Sequence, residues 1–378
     1  MLKPTEAEYL EFLYNATHPE PRCSNPPHQY FIDVSNFCNL SCRFCIRPEM
    51  EREKGIMSLE TFRRIVDSIV ECYGHVPCMD FARQGEALLL PHLFDMVAYA
   101  KAKGCHSARV QTNGFLMTEE RARRLIEAGV DKINFSFGSH DAALYNYYQP
   151  GGDFERTLRQ IVRFLELKRE LNRPDLEVVV STVEFEKLAE TKDEFVRVFS
   201  QMPFNKVKIN QFDNWLGDIE WQPADPRRQQ PRSQWPLCKL PWRILAFSWD
   251  GTAVACNNDY NNSVPLGNIH DTGIEGLWNG EKMQAFRRAQ IERRYEDVEK
   301  PGRPLCSQCN AMFDDPTRNS PTYPATFTQG LREFARTGVM GGSRADESRS
   351  DAAALEAKFE FLRAHKDEWI GKVLSGHK

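Results

Sequence analysis

The sequence predicts an α/β fold, a partial (β/α)6 TIM-like barrel followed by a small α+β unit. Three observations predict it. Between residues 30 and 211 short β-branched or aromatic runs alternate with amphipathic helical stretches, the pattern of a parallel sheet built from βα units. Six such units can be counted, short of the eight that close a full barrel, so the sheet should be open, with its site at the C-terminal strand ends. From Cys238 onward the alternation gives way to a hairpin signal and spaced cysteines.

The six strands are expected at 30–34, 76–81, 108–111, 132–136, 177–183 and 206–211. Between them Leu59, Phe62, Ile65, Val66 and Ile69 recur at helical spacing, as do Leu93, Met96, Val97 and Ala100, and then Leu158, Ile161, Val162 and Leu165; these are helix faces turned to a core. Residues 1–29 form an N-terminal cap segment and 30–213 the barrel. Residues 214–237, rich in Pro and Trp, read as an ordered linker. The second unit spans 238–313. Its strands at 244–249 and 252–256 are joined by Asp250-Gly251, a strong hairpin signal, and a helix over 273–294 should follow. Residues 314–378 form a C-terminal extension. Its first part, rich in Pro, Gly and Ser, should run over the surface, and a charged helix over 351–374 with an apolar stripe through Leu355, Phe359 and Leu362 should dock on the body or on a partner.

The 378 residues carry a net charge of -4, which argues against a general nucleic-acid binder. No apolar run approaches the ~20 residues of a membrane span, and the N-terminus lacks the features of a signal peptide. The expected location is cytoplasmic, where cysteines serve metal ligation more often than disulfides. Of the 11 cysteines, Cys23, Cys72, Cys78 and Cys105 are scattered and read as packed side chains without chemistry.

The other seven fall in two sets. Cys38-x3-Cys42-x2-Cys45 places three thiols on one tight loop after the first strand. Three thiolates on a cube of four irons leave the fourth iron without a protein ligand. A zinc site is the alternative, but zinc knots use two cysteine pairs in a compact fold. Cys238, Cys256 and the pair Cys306-x2-Cys309 make a second set of four, which closes either a fully ligated [4Fe-4S] cluster or a tetrahedral zinc site.

The C-x3-C-x2-C run, with Phe44 just before its third cysteine, resembles the radical S-adenosylmethionine (SAM) superfamily over residues 30–211. The resemblance implies a [4Fe-4S] cluster on Cys38, Cys42 and Cys45, whose open iron chelates SAM, and reductive cleavage of SAM to a 5'-deoxyadenosyl radical that abstracts hydrogen from carbon. Phe44 would line the adenine site. The family's Gly-Gly-Glu-Pro element appears as Gln84-Gly85-Glu86-Ala87, changed at its first and last positions, and assigns Gly85 and Glu86 to the methionyl amine. Gln111-Thr112-Asn113-Gly114 matches the family's Thr-Asn-Gly turn and assigns Asn113. Ser136 matches the serine ending strand four, and Ser181 is a further SAM contact. Where relatives carry an arginine for the SAM carboxylate, this chain offers Gln149.

Gly251-x4-Cys256, with Leu277-Trp278 beyond it, resembles the auxiliary-cluster extension called SPASM in its one-cluster form, Twitch. Two [4Fe-4S] clusters and SAM are thus implied, the second unit being a small iron-sulfur domain. The pattern of single Cys, single Cys and C-x2-C is similar to that of the aminocyclitol radical SAM dehydrogenases of aminoglycoside pathways. That likeness implies oxidation of a secondary alcohol of a sugar or aminocyclitol, with the auxiliary cluster as electron acceptor and a flavodoxin- or ferredoxin-type donor. Arg83, Gln84, Asn210, Gln211 and Asp213 lie near strand ends where substrate would sit. Two alternatives remain. A maturase of a ribosomal peptide usually carries a longer leader-binding segment than the 29 residues before the first strand. A sugar epimerase or dehydratase is the other, an epimerase drawing its hydrogen donor from Cys78 or Cys105. No catalytic base is identified.

Overall fold

Tyr30, Ile32, Met79, Phe81, Ala108, Val110, Ile133, Phe135, Val178 and Val180 are all buried, and this burial of every second residue gives the sheet one apolar face against its helices. The computed structural model describes residues 18–213, 215–217, 226–314, 348–349 and 352–375. Strands β1 (Gln29–Ile32), β2 (Val76–Phe81), β3 (Cys105–Thr112), β4 (Lys132–Ser136), β5 (Glu177–Glu184) and β6 (Lys206–Gln211) lie side by side in chain order. Every neighbouring pair among them is parallel. The ranges of β2, β4 and β6 match expectation. β1 ends at Ile32, two residues early; beyond it the Asp33 amide still bonds the Phe247 carbonyl at 2.8 Å.

Helices α1 (Leu59–Tyr73), α2 (Leu93–Ala102), α3 (Glu119–Glu127), α4 (Ala142–Tyr148), α5 (Phe154–Glu170) and α6 (Lys192–Phe199) fill the connections. Local chemistry sets their ends: the Ser58 side chain caps α1 by accepting from the Thr61 amide at 3.0 Å, and Asp153 caps α5 through the Arg156 amide at 2.8 Å. Gly74, at φ +79°, ends α1 in the left-handed conformation.

The second unit is continuous with this sheet. β7 (Ile244–Phe247) pairs parallel with β1, then β8 (Thr252–Val254) and β9 (Pro265–Asn268) follow antiparallel. β10 (Ser348–Arg349) pairs antiparallel with β6, completing ten strands.

The single helix expected over 273–294 is two, α7 (Ile274–Asn279) and α8 (Glu281–Glu292), broken at Gly280. There the chain crosses the Gly276 carbonyl so closely that a Cβ would sit 2.0 Å from its oxygen. Asn279, at the break, binds the Cys23 backbone with both ends of its amide.

The tail helix, α9 (Ala352–Ser375), docks on the body. Phe359, Leu362, Trp369 and Ile370 are buried, and Arg169 of α5 reaches Glu356 at 2.8 Å and Glu360 at 2.5 Å. The first part of the expected cap (1–17), most of the non-helical extension (315–347) and linker residues 214 and 218–225 lie outside the described residues. Among the described residues no helix is long and apolar enough to cross a membrane.

Candidate active site and its two cysteine sets

The loop after β1 carries Cys38, Cys42 and Cys45, all partly exposed. It is stitched to the end of α4: the Ser41 amide donates to the Pro150 carbonyl at 2.9 Å and the Arg43 amide to the Tyr148 carbonyl at 3.0 Å. Within the loop the Cys45 amide bonds the Cys42 carbonyl at 3.1 Å. Burial pushes all three thiols up, Cys42 to about 12, and there the charges of Cys45 and Cys38 add to the effect. Three soft sulfur donors on one tight loop, near enough to feel one another's charge, are a donor set that fits an iron-sulfur cluster. Among the described residues no group of three or more His, Cys, Asp or Glu side chains is drawn together tightly enough to grip a single ion.

The other residues expected to bind SAM gather at the same end of the sheet. Gly85 lies against the chain leading into the cysteine loop, where a Cβ would stand 1.7 Å from the Ser35 carbonyl oxygen. The Glu86 amide donates to the Phe37 carbonyl at 2.9 Å. The Glu86 carboxylate accepts from the Thr112 hydroxyl at 2.6 Å and from the amides of Asn113 and Leu88 at 2.8 and 3.0 Å. Its side chain is thus a brace for the turn after β3. Asn113 in turn donates to Asn39 Oδ1 at 3.0 Å and lies 3.9 Å from Cys38 Sγ. Ser136 and Ser181 face each other in register, and among the described residues the buried Ser181 hydroxyl has no partner. Phe44 packs edge-on against Phe185 at 6.2 Å.

Several of the expected residues have partners within the protein. Gln149 is buried beside Cys42; its Oε1 accepts from the Gly138 amide at 2.7 Å, and its Nε2 donates to the Ser136 carbonyl at 3.2 Å. Arg83 and Gln84 hydrogen-bond to the second unit, at Ser248 and Asn257. Asp213 is likewise engaged, accepting from the Asn258 amide nitrogen. Asn210 bonds the Thr182 carbonyl at 3.1 Å, and Gln211 is exposed.

Cys238, Cys256, Cys306 and Cys309 are all buried and line one cavity, with Leu216, Leu240 and Phe286 among its apolar walls. Burial drives the Cys306 thiol well above its ordinary range, and the charges of Cys238, Cys256 and Cys309 each add to this. Four thiols converging on one dry cavity fit a fully ligated metal group. Gln290 reaches Cys306 Sγ at 2.9 Å.

A pair of arginines that the sequence did not single out as a unit joins the two cysteine sets. Arg83 donates to Ser248 Oγ at 2.7 Å, to the Asn257 carbonyl at 3.3 Å and to the Asp259 carbonyl. Arg52 donates to the Tyr260 carbonyl at 2.6 Å and forms a buried ion pair with Asp33. Gln84, one residue before Gly85, donates to the Asn257 carbonyl at 3.1 Å. The loop directly after Cys256 is thereby clamped to the ends of β1 and β2.

Residues 32–202 match the model of the Radical SAM superfamily, and residues 238–310 match SPASM, an iron-sulfur cluster-binding domain. The chain carries a radical SAM domain followed by a SPASM domain. Its cofactors are SAM and two [4Fe-4S] clusters. It is similar to the tungsten-containing aldehyde ferredoxin oxidoreductase cofactor-modifying protein of Pyrococcus furiosus, at 22% identity over 74% of this chain and 86% of that one. Among solved structures, anSMEcpe with bound AdoMet aligns at TM-score 0.55 and 16% identity, covering 92% of this chain and 95% of that one. Streptococcus suis SuiB bound to precursor peptide SuiA aligns at TM-score 0.57 and 12% identity, covering 74% and 70%. At these identities the likeness is one of fold.

Proposed function

We propose that Cys38, Cys42 and Cys45 hold the SAM-binding cluster, that Cys238, Cys256, Cys306 and Cys309 hold the auxiliary one, and that the enzyme oxidises a secondary alcohol of a sugar or cyclitol. The observation that carries this reading is the closed second site: four buried cysteines around one cavity offer a thiolate to every iron of a cube. Such a site suits electron transfer better than ligand binding. When bound, the first cluster supplies the electron that cleaves SAM and the second accepts the electron released by the oxidised substrate.

The chain's own residues bind and orient. Glu86 holds the Asn113 turn beside Cys38, and Gly85 lets that turn's neighbour lie flat on the cysteine loop. Arg83 and Arg52 fix the Cys256 loop to the barrel and so fix the separation of the two cysteine sets. Phe44, Tyr148 and Phe185 pack together as an apolar wall beside the cysteine loop. The electron for SAM cleavage comes from a flavodoxin- or ferredoxin-type donor.

The test pairs two variants. Cys309→Ala retains 5'-deoxyadenosine formation and loses net alcohol oxidation, whereas Cys42→Ala loses both. Full oxidation by Cys309→Ala would remove the acceptor role. A peptide substrate is the competing reading, since SuiB was solved with a precursor peptide; modification of a peptide encoded beside this protein, with no turnover of sugar alcohols, would replace ours.

A further inference from the structure

Helix α8 turns an apolar face to the second cysteine set, and one residue of that face is not a hydrocarbon. Met283, Phe286 and Gln290 recur at helical spacing and are all buried, and Phe286 lines the cavity of the four cysteines. Gln290 is 0% exposed, and its Nε2 stands 2.9 Å from Cys306 Sγ, closer than the 3.4 Å from the Asn258 amide to Cys256 Sγ. Its Oε1 is buried with no partner among the described residues. A buried amide with one end unsatisfied is costly where a leucine or methionine would pack without that cost. The bond that Gln290 does make is therefore what accounts for an amide at this position.

The backbone around it is pinned. Arg293, which ends α8 in the left-handed conformation at φ +59°, donates from Nη1 to the carbonyls of Gln290 at 2.9 Å and Ile291 at 2.7 Å. Its Nε and Nη2 donate to the Trp235 carbonyl at 3.2 and 3.1 Å. The last turn of α8 is thereby tied to the chain that leads into Cys238, and the Gln290 side chain is aimed from a fixed base. A free thiol can donate or accept, but a sulfur bound to iron only accepts, which sets the amide with its nitrogen toward Cys306. The field there is negative: beyond the effect of burial, the charges of Cys238, Cys256, Cys309 and Glu299 each push the Cys306 thiol further up. The walls of Leu216, Leu240 and Phe286 offer that charge no hydrogen bond.

We propose that Gln290 is a positioning residue for the electron-accepting role of the second site: its Nε2–H donates to Cys306 Sγ and raises the reduction potential of the cluster held there. Hydrogen bonds to ligand sulfurs are among the levers that set such a potential. A cluster with four thiolates is an anion before it accepts an electron and a stronger one after, so a fixed N–H dipole stabilises the reduced state more than the oxidised one. Apolar walls alone would disfavour the added charge. The proposal rests on the acceptor reading above and deepens it, naming the side chain that readies this site to take the substrate's electron.

The test is a redox titration followed by electron paramagnetic resonance on the reconstituted full chain carrying Cys42→Ala, where the signal belongs to the second cluster. The parent is compared with Gln290→Met and Gln290→Leu, and iron and sulfide are counted in each sample. At the midpoint potential of the parent, both variants are expected to show a reduced-to-oxidised ratio about tenfold lower, a downward shift of about 59 mV for one electron, at unchanged iron content. With Cys42 restored, the same substitutions should lower the oxidised product formed per 5'-deoxyadenosine. An unchanged or raised midpoint with the cluster in place would overturn the proposal. Loss of iron from both variants would overturn it too, because Gln290 would then be a structural support of the site. A parent that binds zinc or no iron would overturn the second-cluster assignment as well, and shows itself before any Gln290 variant is compared. A lowered midpoint with unchanged product per 5'-deoxyadenosine would keep the hydrogen bond and sink the acceptor role.

Discussion

Single atoms decide whether the two ends of the site meet. At Gly85 a Cβ would lie 1.7 Å from the Ser35 carbonyl oxygen, so Gly85→Ala must push the Gln84–Ala87 segment off the cysteine loop. We expect that variant to bind SAM at least tenfold more weakly while circular dichroism stays native; unchanged SAM affinity would show that the contact is idle. Arg52 neutralises Asp33 in a nearly dry place, with side chains 8% and 0% exposed. Removing one member of such a pair leaves the other charge buried, at a cost of about 3–5 kcal/mol, so Arg52→Met should lower the unfolding midpoint sharply, and a shift within error would refute the pairing. Legibility at this scale was uneven. Cysteine spacing alone located both sets, because thiol ligands must be near in sequence or held by turns. By contrast, the commitments of Arg83 and Gln84 depend on residues far along the chain, and no local pattern announces them.

Among elements, period-2 and period-3.6 patterns carried most of the fold. β2, β4 and β6 fall where their apolar runs lie, since both ends are marked by turns or caps. The helix break at Gly280 was missed because the amphipathic pattern runs through it; what stops the helix is the Gly276 carbonyl beneath residue 280. The tail helix belongs to this scale too. Phe359 of its predicted stripe lies under Arg169 of α5 at 5.5 Å, and beyond that stripe Trp369 is edge-on to Phe199 of α6 at 6.2 Å and Lys366 sits on Glu166 at 2.6 Å. Trp369→Ala removes a buried aromatic worth about 3–5 kcal/mol, enough to release α9. Limited proteolysis should then clip the tail while iron content stays at the wild-type level; a tail as resistant as in wild type would mean the helix is held by its ion pairs instead.

For the whole molecule, the unexpected feature is continuity. The sequence suggested a barrel and a smaller unit joined by a linker, but β7 pairs with β1 along four residues and the arginine clamp lies beside that seam. Long-range pairing of this kind has no local signature, since the alternation in 244–247 is equally compatible with a detached hairpin. Its consequence is mechanical: the loop of Cys38, Cys42 and Cys45 after β1 and the loop of Cys256 after β8 are anchored to one sheet. The account stands on both sets holding iron-sulfur clusters. The most direct test is iron, acid-labile sulfide and zinc per chain after anaerobic reconstitution, for the wild type and for Cys309→Ser. About eight irons and eight sulfides in the wild type, falling to about four of each in the variant, is the predicted result. About four irons in both, with zinc filling the second site of the wild type, would contradict it.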